Sequence, residues 1–428
     1  MAGVSVPGKR SRRLPDRAIR HNPDFLRLWL ALSSSLVGSQ VTALAIPLIA
    51  VIDLGASAGE MGLLAAAGQA PFLLVSLPAG VWVDRVRRRP LLIATDLGCA
   101  LLLTAIPLLA LAGSLNLLTL VLVAFGVGTL AALGEIAHYA YVPSLVGRDH
   151  LVDANSRIQV SYSVAESAGP GLGGLLIQVF TATGAVVLDS LSFLVSALAT
   201  LRIRTPEARP TRSGSSSSPV RSALDGLSWL YGHRLLRPVI LTGVASGVFD
   251  GAFVALFILY ATRDLDLVPL SIGLTFAIGG LCAVPGAMLA GRVAGRVGVG
   301  PAIIGGWLFE SAARLAIPLA FGPTALVIAI LGIARGVEGA TGTIANIHQW
   351  SLRQTVTPDA LQGRVTAGHR FLVYGAAAIG ALAGGALGTG LGLRPALIVC
   401  ALGAIAARLP SIWSPLRTLR EQPTASDR

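Results

Sequence analysis

The sequence is poor in the residues on which soluble and catalytic proteins depend. Only 13% of its 428 residues are charged, 6% are aromatic, and there are three cysteines and six histidines. A charged fraction about half that of an average soluble domain excludes a water-soluble protein. Cys99, Cys282 and Cys400 lie in apolar runs, so neither a disulfide framework nor a thiolate metal cluster is indicated. Lys9 is the only lysine, which excludes a Walker phosphate loop, and no H-E-x-x-H zinc motif occurs.

Long apolar runs make up most of the chain, and 54% of the residues are hydrophobic. Crossing a bilayer core of about 30 Å takes about 20 apolar residues in a helix, so the runs predict twelve membrane spans. We place the spans near residues 27–52, 60–82, 90–112, 116–140, 155–179, 183–203, 238–261, 269–291, 301–321, 324–347, 369–391 and 394–414. An all-α integral membrane fold is therefore expected.

The distribution of basic residues predicts the orientation. When residues at the span ends are counted with the adjoining loop, all but five of the 33 lie in the two termini or in loops that follow even-numbered spans. Short loops rich in arginine stay in the cytoplasm, so both termini are predicted to be cytoplasmic. The net charge of +12 then indicates membrane topology rather than a nucleic-acid surface. The expected location is a bacterial cytoplasmic membrane, with lipid around the chain.

The polar intervals divide the chain into five segments. These are a basic tail (1–24), a first six-span bundle (25–203), a flexible cytoplasmic linker (204–233), a second six-span bundle (234–414) and a second tail (415–428). At a shift of about 211 residues, Gly80 and Arg85 fall on Gly291 and Arg296. Because this shift carries six spans onto six, the repeat is parallel, as in transporters built from two halves.

The loop between spans 2 and 3 contains an acid followed by an arginine cluster. It reads Gly80-Val-Trp-Val-Asp84-Arg85-Val-Arg-Arg88-Arg89. Charge-assisted hydrogen bonds from the arginines to Asp84 would latch the cytoplasmic side, whereas the alternative is an ordinary positive-inside loop. The run resembles the signature loop of the major facilitator superfamily, G-x-x-x-D-R-x-G-R-R. This resemblance implies a cytoplasmic gating motif formed by Gly80, Asp84, Arg85, Arg88 and Arg89.

A glycine run in span 5 reads Gly169-Pro170-Gly-Leu-Gly173-Gly174. Glycines allow close helix approach and proline permits a bend, so we predict an interhelical hinge at these four numbered residues. The run also fits part of the dinucleotide pattern G-x-G-x-x-G, which has meaning only between a strand and a helix. Its end resembles the antiporter motif of the same superfamily.

The string Gly55-Ala-Ser57-Ala-Gly59 matches the nucleophile elbow of hydrolases. Ser57 is predicted in an outer loop, whereas all six histidines fall at or near the cytoplasmic side, so no triad can assemble. Ser57 and Glu60 are instead predicted to form a capping box at the start of span 2. No enzymatic activity is expected.

Further similarity extends along almost the whole chain. The segments 25–30, 143–146, 153–155 and 361–367 resemble the branch of the major facilitator superfamily that contains enterobactin exporters and macrolide-efflux pumps. The resemblance implies the major facilitator fold of two six-helix bundles, with spans 1, 4, 7 and 10 around a central cavity. It indicates no particular substrate.

Charged side chains inside the spans are the remaining candidates, because each costs a few kcal/mol at mid-bilayer. Asp250, near the middle of span 7, is the first choice for the coupling acid. The predicted proton or substrate pathway comprises Asp250, Arg335, Glu338, Glu135, Gln40 and Glu166. Arg335 and Glu338 are three residues apart and could simply neutralise each other. Glu310 and Arg314, four apart in span 9, are predicted to form a structural pair.

Together these features predict a secondary active transporter that exports an amphipathic small molecule, such as a drug or a siderophore, in exchange for protons. Proton-coupled uptake of a nutrient is the alternative. A membrane sensor or enzyme is a further one, but a folded domain needs about 40 residues or more, and no polar segment is that long. No cofactor other than the proton gradient, no metal and no nucleic acid are expected. A single chain should suffice, because its two halves can form the pathway.

Overall fold

The computed structural model describes residues 22–83, 85–147, 150–207, 219–358 and 361–423, and all regular elements in these ranges are helical. The α-helices are α1 (Pro23–Leu48), α2 (Ala58–Val83), α3 (Arg88–Leu111), α4 (Leu117–Val146), α5 (Leu151–Leu201), α6 (Pro219–Gly232), α7 (Leu236–Arg263), α8 (Pro269–Val297), α9 (Val299–Leu315), α10 (Thr324–Val356), α11 (Gln362–Leu391) and α12 (Leu393–Arg408). A π-helical turn, Ile49–Asp53, extends α1, and two 3₁₀ turns follow α12.

Ten helices in the described ranges are long and apolar enough to cross a membrane, which confirms the all-α membrane architecture. Two predicted spans are absent from that set for geometric reasons. Helix α5 has 51 residues and contains both span 5 and span 6, which are separated by non-helical backbone at Thr181. At about 1.5 Å per residue, it is more than twice as long as one crossing requires. Helix α9 has only 17 residues, because the chain turns after Leu315.

The predicted repeat is visible in the backbone where spans 5 and 6, and spans 11 and 12, are joined. Thr181 has φ 69° and ψ 165°. Gly392, which lies 211 positions further along, has φ 85° and ψ 165°. The two halves therefore break their helices at equivalent residues and in the same conformation, and this confirms the shift that the sequence indicated.

Helix starts are capped by nearby side chains. The Ser57 N–H donates to Glu60 Oε2 at 2.7 Å, and the Glu60 N–H donates to Ser57 Oγ at 3.3 Å. This reciprocal pair is the predicted capping box of α2. Asn22 and Asn116 accept backbone N–H bonds at the starts of α1 and α4.

The interval predicted as a flexible linker contains a helix. Residues 208–218 lie outside the described ranges, but α6 follows them and contacts α11. Asp225 on α6 accepts a hydrogen bond from Arg364 Nη1 at 3.1 Å. Gly226 lies so close to the backbone of Arg364 that a β-carbon would not fit. The linker is therefore a packed connection over this part, and composition alone missed it.

The two six-span halves meet along two glycine-rich contacts. Gly62 on α2 faces Gly385 on α11, and Gly174 on α5 faces Gly273 on α8. A β-carbon at Gly62 or Gly174 would stand 3.2 Å or less from backbone atoms of the opposite half, so these helices touch main chain to main chain. Gly62, Gly273 and Gly385 lie near the helix ends remote from the chain termini, and Gly174 lies seven residues before the break in α5 at Thr181. Glycine contacts thus join the halves on that side.

Candidate functional site

Six charged side chains meet inside the C-terminal half. They come from four helices and carry three negative and three positive charges: Asp250 on α7, Glu310 and Arg314 on α9, Arg335 and Glu338 on α10, and Arg408 on α12.

Arg314 lies at the centre of this cluster, with 11% of its side chain exposed. Its guanidinium forms an ion pair with Asp250, donates from Nε to Glu338 Oε1 at 2.6 Å, and reaches Glu310 Oε1 at 3.4 Å. The pair predicted between Glu310 and Arg314 is present, but it is one contact of a larger network. One guanidinium thereby links α9 to α7 and α10.

Two further arginines complete the charge balance. Arg408 donates to Asp250 Oδ2 and Glu310 Oε2, each at 3.2 Å. Arg335 donates to Glu338 Oε2 at 3.0 Å. Sequence reasoning assigned no role to Arg408, although its position within an apolar run was the available signal.

Asp250 is therefore held between two guanidinium groups, Arg314 and Arg408. Its negative charge balances the six-charge cluster, in which three acids face three arginines. Its assignment as the coupling acid stays a prediction. The contacts in this structure suit a group that ties α7 to α9 and α12.

Glu135 on α4 links the two halves. Its Oε1 accepts a hydrogen bond from Arg370 Nη2 on α11 at 2.9 Å. Four residues further along α11, Tyr374 stacks on Phe72 of α2, with 4.9 Å between ring centroids. Arg370 and Tyr374 share one helix face, so we call these four residues the α11 contact. It lies nearer the termini than the glycine contacts.

The predicted hinge run packs against both halves. A β-carbon at Gly169 would overlap the side chain of Gln40 on α1, and one at Gly173 would lie 3.2 Å from Val41. The Pro170 carbonyl lies against Gly273 of the other half. The run therefore lets α5 approach α1 and α8 together. Glu166, on the same helix, has no hydrogen-bond or ion-pair partner among the described residues.

In the predicted gating motif, Asp84 lies outside the described residues and Gly80 lies in the last turn of α2. Arg88 and Arg89 are bound by an acid that sequence reasoning missed. Glu207, in the linker, accepts their backbone N–H groups at 2.6 and 3.1 Å. A carboxylate at this position caps the start of α3. Arg85 forms no side-chain hydrogen bond among the described residues.

A second acid secures the start of the linker. Asp24 Oδ2 accepts the backbone N–H groups of Arg204 and Thr205 at 3.1 and 2.8 Å, and the Thr205 hydroxyl at 2.6 Å. Asp24 and Glu207 together fasten the linker to α1 and α3. Their signal in the sequence was weak, because each lies in a polar segment where acids are common.

Among the described residues, no cluster of histidine, cysteine, aspartate and glutamate could hold a metal ion.

Comparison with known proteins agrees with this architecture. The chain is 28% identical to the multidrug efflux pump Tap of Mycolicibacterium fortuitum, over 95% of this chain and 98% of that protein. It is 27% identical to the enterobactin exporter EntS of Escherichia coli O1:K1 / APEC, over 81% of each. Its fold is similar to that of a bacterial ferroportin homologue in an inward-facing state, with a TM-score of 0.73 at 16% identity, covering 92% of this chain and 98% of that one. The nucleoside transporter NupG matches with a TM-score of 0.72 at 13% identity, over 92% and 98% of the two chains.

The family model described as transmembrane secretion effector matches residues 18–428, which is nearly the entire sequence. The chain therefore belongs to the transmembrane secretion effector family of the major facilitator superfamily.

Proposed function

We propose that this protein exports an amphipathic small molecule, of drug or siderophore type, in exchange for protons. Its two halves alternately open a shared pathway to each side of a bacterial cytoplasmic membrane, with both termini in the cytoplasm. A single chain forms the pathway and performs no enzymatic chemistry.

The relatives support the direction and the substrate class. One is named a multidrug efflux pump and another an enterobactin exporter, and the chain spans most of the length of both. The similarity to a nucleoside transporter concerns the fold alone. Export is therefore favoured over nutrient uptake.

The observation that carries the proposal is the ion pair between Glu135 and Arg370, which joins the halves on the side of the termini. Its two side chains are 24% and 43% exposed, and a pair this accessible contributes at most about 1 kcal/mol. The glycine contacts, by contrast, are main chain to main chain. The α11 contact is therefore the part of the interface that opens most easily, and opening it would give access from the side of the termini.

Proton coupling at Glu135 follows from the same geometry. Protonation removes the negative charge that holds Arg370 and so weakens the link between the halves. Besides Arg370, the titratable groups that interact electrostatically with this carboxyl are Tyr139, Tyr162 and Tyr374. The six-charge cluster, by contrast, is already neutral. We therefore place the coupling proton on Glu135, and Asp250 remains the second candidate.

The test uses inside-out vesicles from cells that express the protein, with an acidic interior and a fluorescent cationic drug outside. The wild type should accumulate the drug only while the pH gradient persists. Glu135→Gln should abolish gradient-driven accumulation while retaining exchange of labelled for unlabelled drug. Asp266→Asn, which removes one acid from an exposed loop, is the matched control and should behave as wild type. Full gradient-driven transport by Glu135→Gln would exclude this coupling site, and gradient-driven loss of drug from preloaded vesicles would indicate uptake.

A further inference from the structure

A cavity of about 240 Å³ lies inside the N-terminal half, and α1, α3, α4 and α5 form most of its wall. Its polar lining includes Ser39, Asp96, Glu135, His138 and Tyr162. Most of the other lining side chains are apolar. Phe72, whose ring stacks on Tyr374, also borders it, so the cavity adjoins the α11 contact.

The charged groups of the cavity are all acidic. Asp96 and Glu135 contribute carboxylates, and none of the lining residues is arginine or lysine. Asp96 Oδ2 accepts a hydrogen bond from Ser196 at 2.6 Å, and no described residue donates to its other oxygen. In the C-terminal half, by contrast, each of the three acids of the six-charge cluster binds an arginine. Asp96 thus lacks the cation that its carboxylate would favour, whereas Glu135 already binds Arg370 of the other half.

A second observation points to a missing partner. His138 also lines the cavity, is only 5% exposed, and has no hydrogen-bond partner for Nε2 among the described residues. Buried polar atoms are normally hydrogen-bonded, so this ring nitrogen, enclosed in the cavity wall, is a polar group whose partner is missing. An N–H donor satisfies this nitrogen when the ring proton is on Nδ1.

We propose that this cavity binds an organic monocation, a protonated amine on an apolar body. The ammonium lies between Asp96 and Glu135 and donates one hydrogen bond to His138 Nε2 once that ring turns towards the cavity, while the apolar body contacts the hydrophobic wall. This assignment rests on the proposed export function and specifies its substrate class.

Glu135 connects ligand binding in the cavity to the contact between the two halves. The same carboxylate binds Arg370 of the other half, so a cation in the cavity competes with Arg370 for it. Occupancy therefore weakens the α11 contact as protonation does. Proton and amine become alternative occupants of one carboxylate, which is the requirement for exchange.

The first experiment measures binding without any gradient, on the full chain in nanodiscs. The probe is dansylcadaverine, whose fluorescent apolar body carries a primary ammonium, and the control ligand is its uncharged N-acetyl derivative. The cation should bind the wild type at least about tenfold more tightly than the neutral derivative. Asp96→Asn should remove this preference, whereas Asp266→Asn should retain it. Equal affinities of the wild type for both ligands would overturn the proposal, and this measurement does not depend on the folding of any variant. An unchanged preference for the cation in Asp96→Asn would also overturn it.

The second experiment locates the probe. In a chain whose Cys99, Cys282 and Cys400 are replaced by alanine, Ser39→Cys places a single thiol in the cavity wall. Bound dansylcadaverine should slow its labelling by N-ethylmaleimide, while the N-acetyl derivative should not. Unchanged labelling at saturating probe would place the ligand elsewhere and overturn the proposal. Because neither measurement needs a proton gradient, binding as expected without efflux in vesicles would refute the export function and not this site.

Discussion

Removing the central guanidinium of the six-charge cluster is the sharpest test of the C-terminal half. Arg314→Met preserves an unbranched apolar stem but leaves Asp250, Glu310 and Glu338 with two arginines. Arg314 is 11% exposed and contacts all three acids. Breaking a buried ion pair on one side costs about 3–5 kcal/mol, so we expect the free energy of unfolding to fall by about that amount.

The loss should depend on pH in a defined direction. At low pH one of the three carboxyl groups takes up a proton, and the cluster of the variant becomes neutral again. The folded variant then binds more protons than the unfolded chain, so its stability relative to wild type should rise as the pH is lowered. Urea unfolding in detergent micelles, followed by tryptophan fluorescence, measures both effects. Arg292→Met, at an exposed helix end, is the control and should change stability by less than about 0.5 kcal/mol.

A double variant separates charge imbalance from lost packing. Adding Glu310→Gln to Arg314→Met leaves two matched pairs, Asp250 with Arg408 at 3.2 Å and Glu338 with Arg335 at 3.0 Å. We expect the double variant to regain about 2 kcal/mol or more relative to Arg314→Met and to lose most of its pH dependence. Additive losses from the two substitutions would refute the view that the cluster acts as one neutral unit.

Three further predictions concern the backbone and the linker. Thr181→Gly should stabilise the protein by about 1 kcal/mol in the same unfolding assay, because φ 69° with ψ 165° strains any residue except glycine. For the same reason, Gly392→Ala should destabilise the protein by a similar amount. Gly280→Leu should block transport in vesicles without preventing folding of the halves, since Gly280 lies against the main chain of Ser167 in the other half; normal transport rates would contradict a close α5–α8 contact. Glu207→Gln should cost about 1 kcal/mol by weakening the cap of α3, and limited proteolysis should then cleave the linker faster.

Local features were predictable from the sequence, because short-range chemistry determines them. The Ser57 and Glu60 capping box needs two residues three apart, and the pairs of Glu310 with Arg314 and Arg335 with Glu338 need one helical turn. The repeat was also readable, since a duplication preserves spacing, and the shared conformation of Thr181 and Gly392 follows from it.

Contacts between distant helices could not be read from the sequence. Glu135 and Arg370 are 235 positions apart, and nothing local marks either as the other's partner. The same holds for Glu207, whose role depends on the linker folding back over α3. The polar composition of residues 204–233 indicated a connection between the two bundles, but it could not show that Gly226 of α6 packs against Arg364.

The order of the six charges along the sequence also affects the insertion of this chain into the membrane. Its charges emerge from the ribosome in the order of Asp250, the α9 and α10 residues, and finally Arg408, so three acids precede the last arginine. Helix α9 carries two charges in 17 residues and is poorly suited to enter lipid by itself. The cluster in the second half therefore becomes neutral only when the final span has been synthesised. A chain that terminates earlier has one carboxylate without an arginine partner, which exposes it to the quality-control proteases of the membrane.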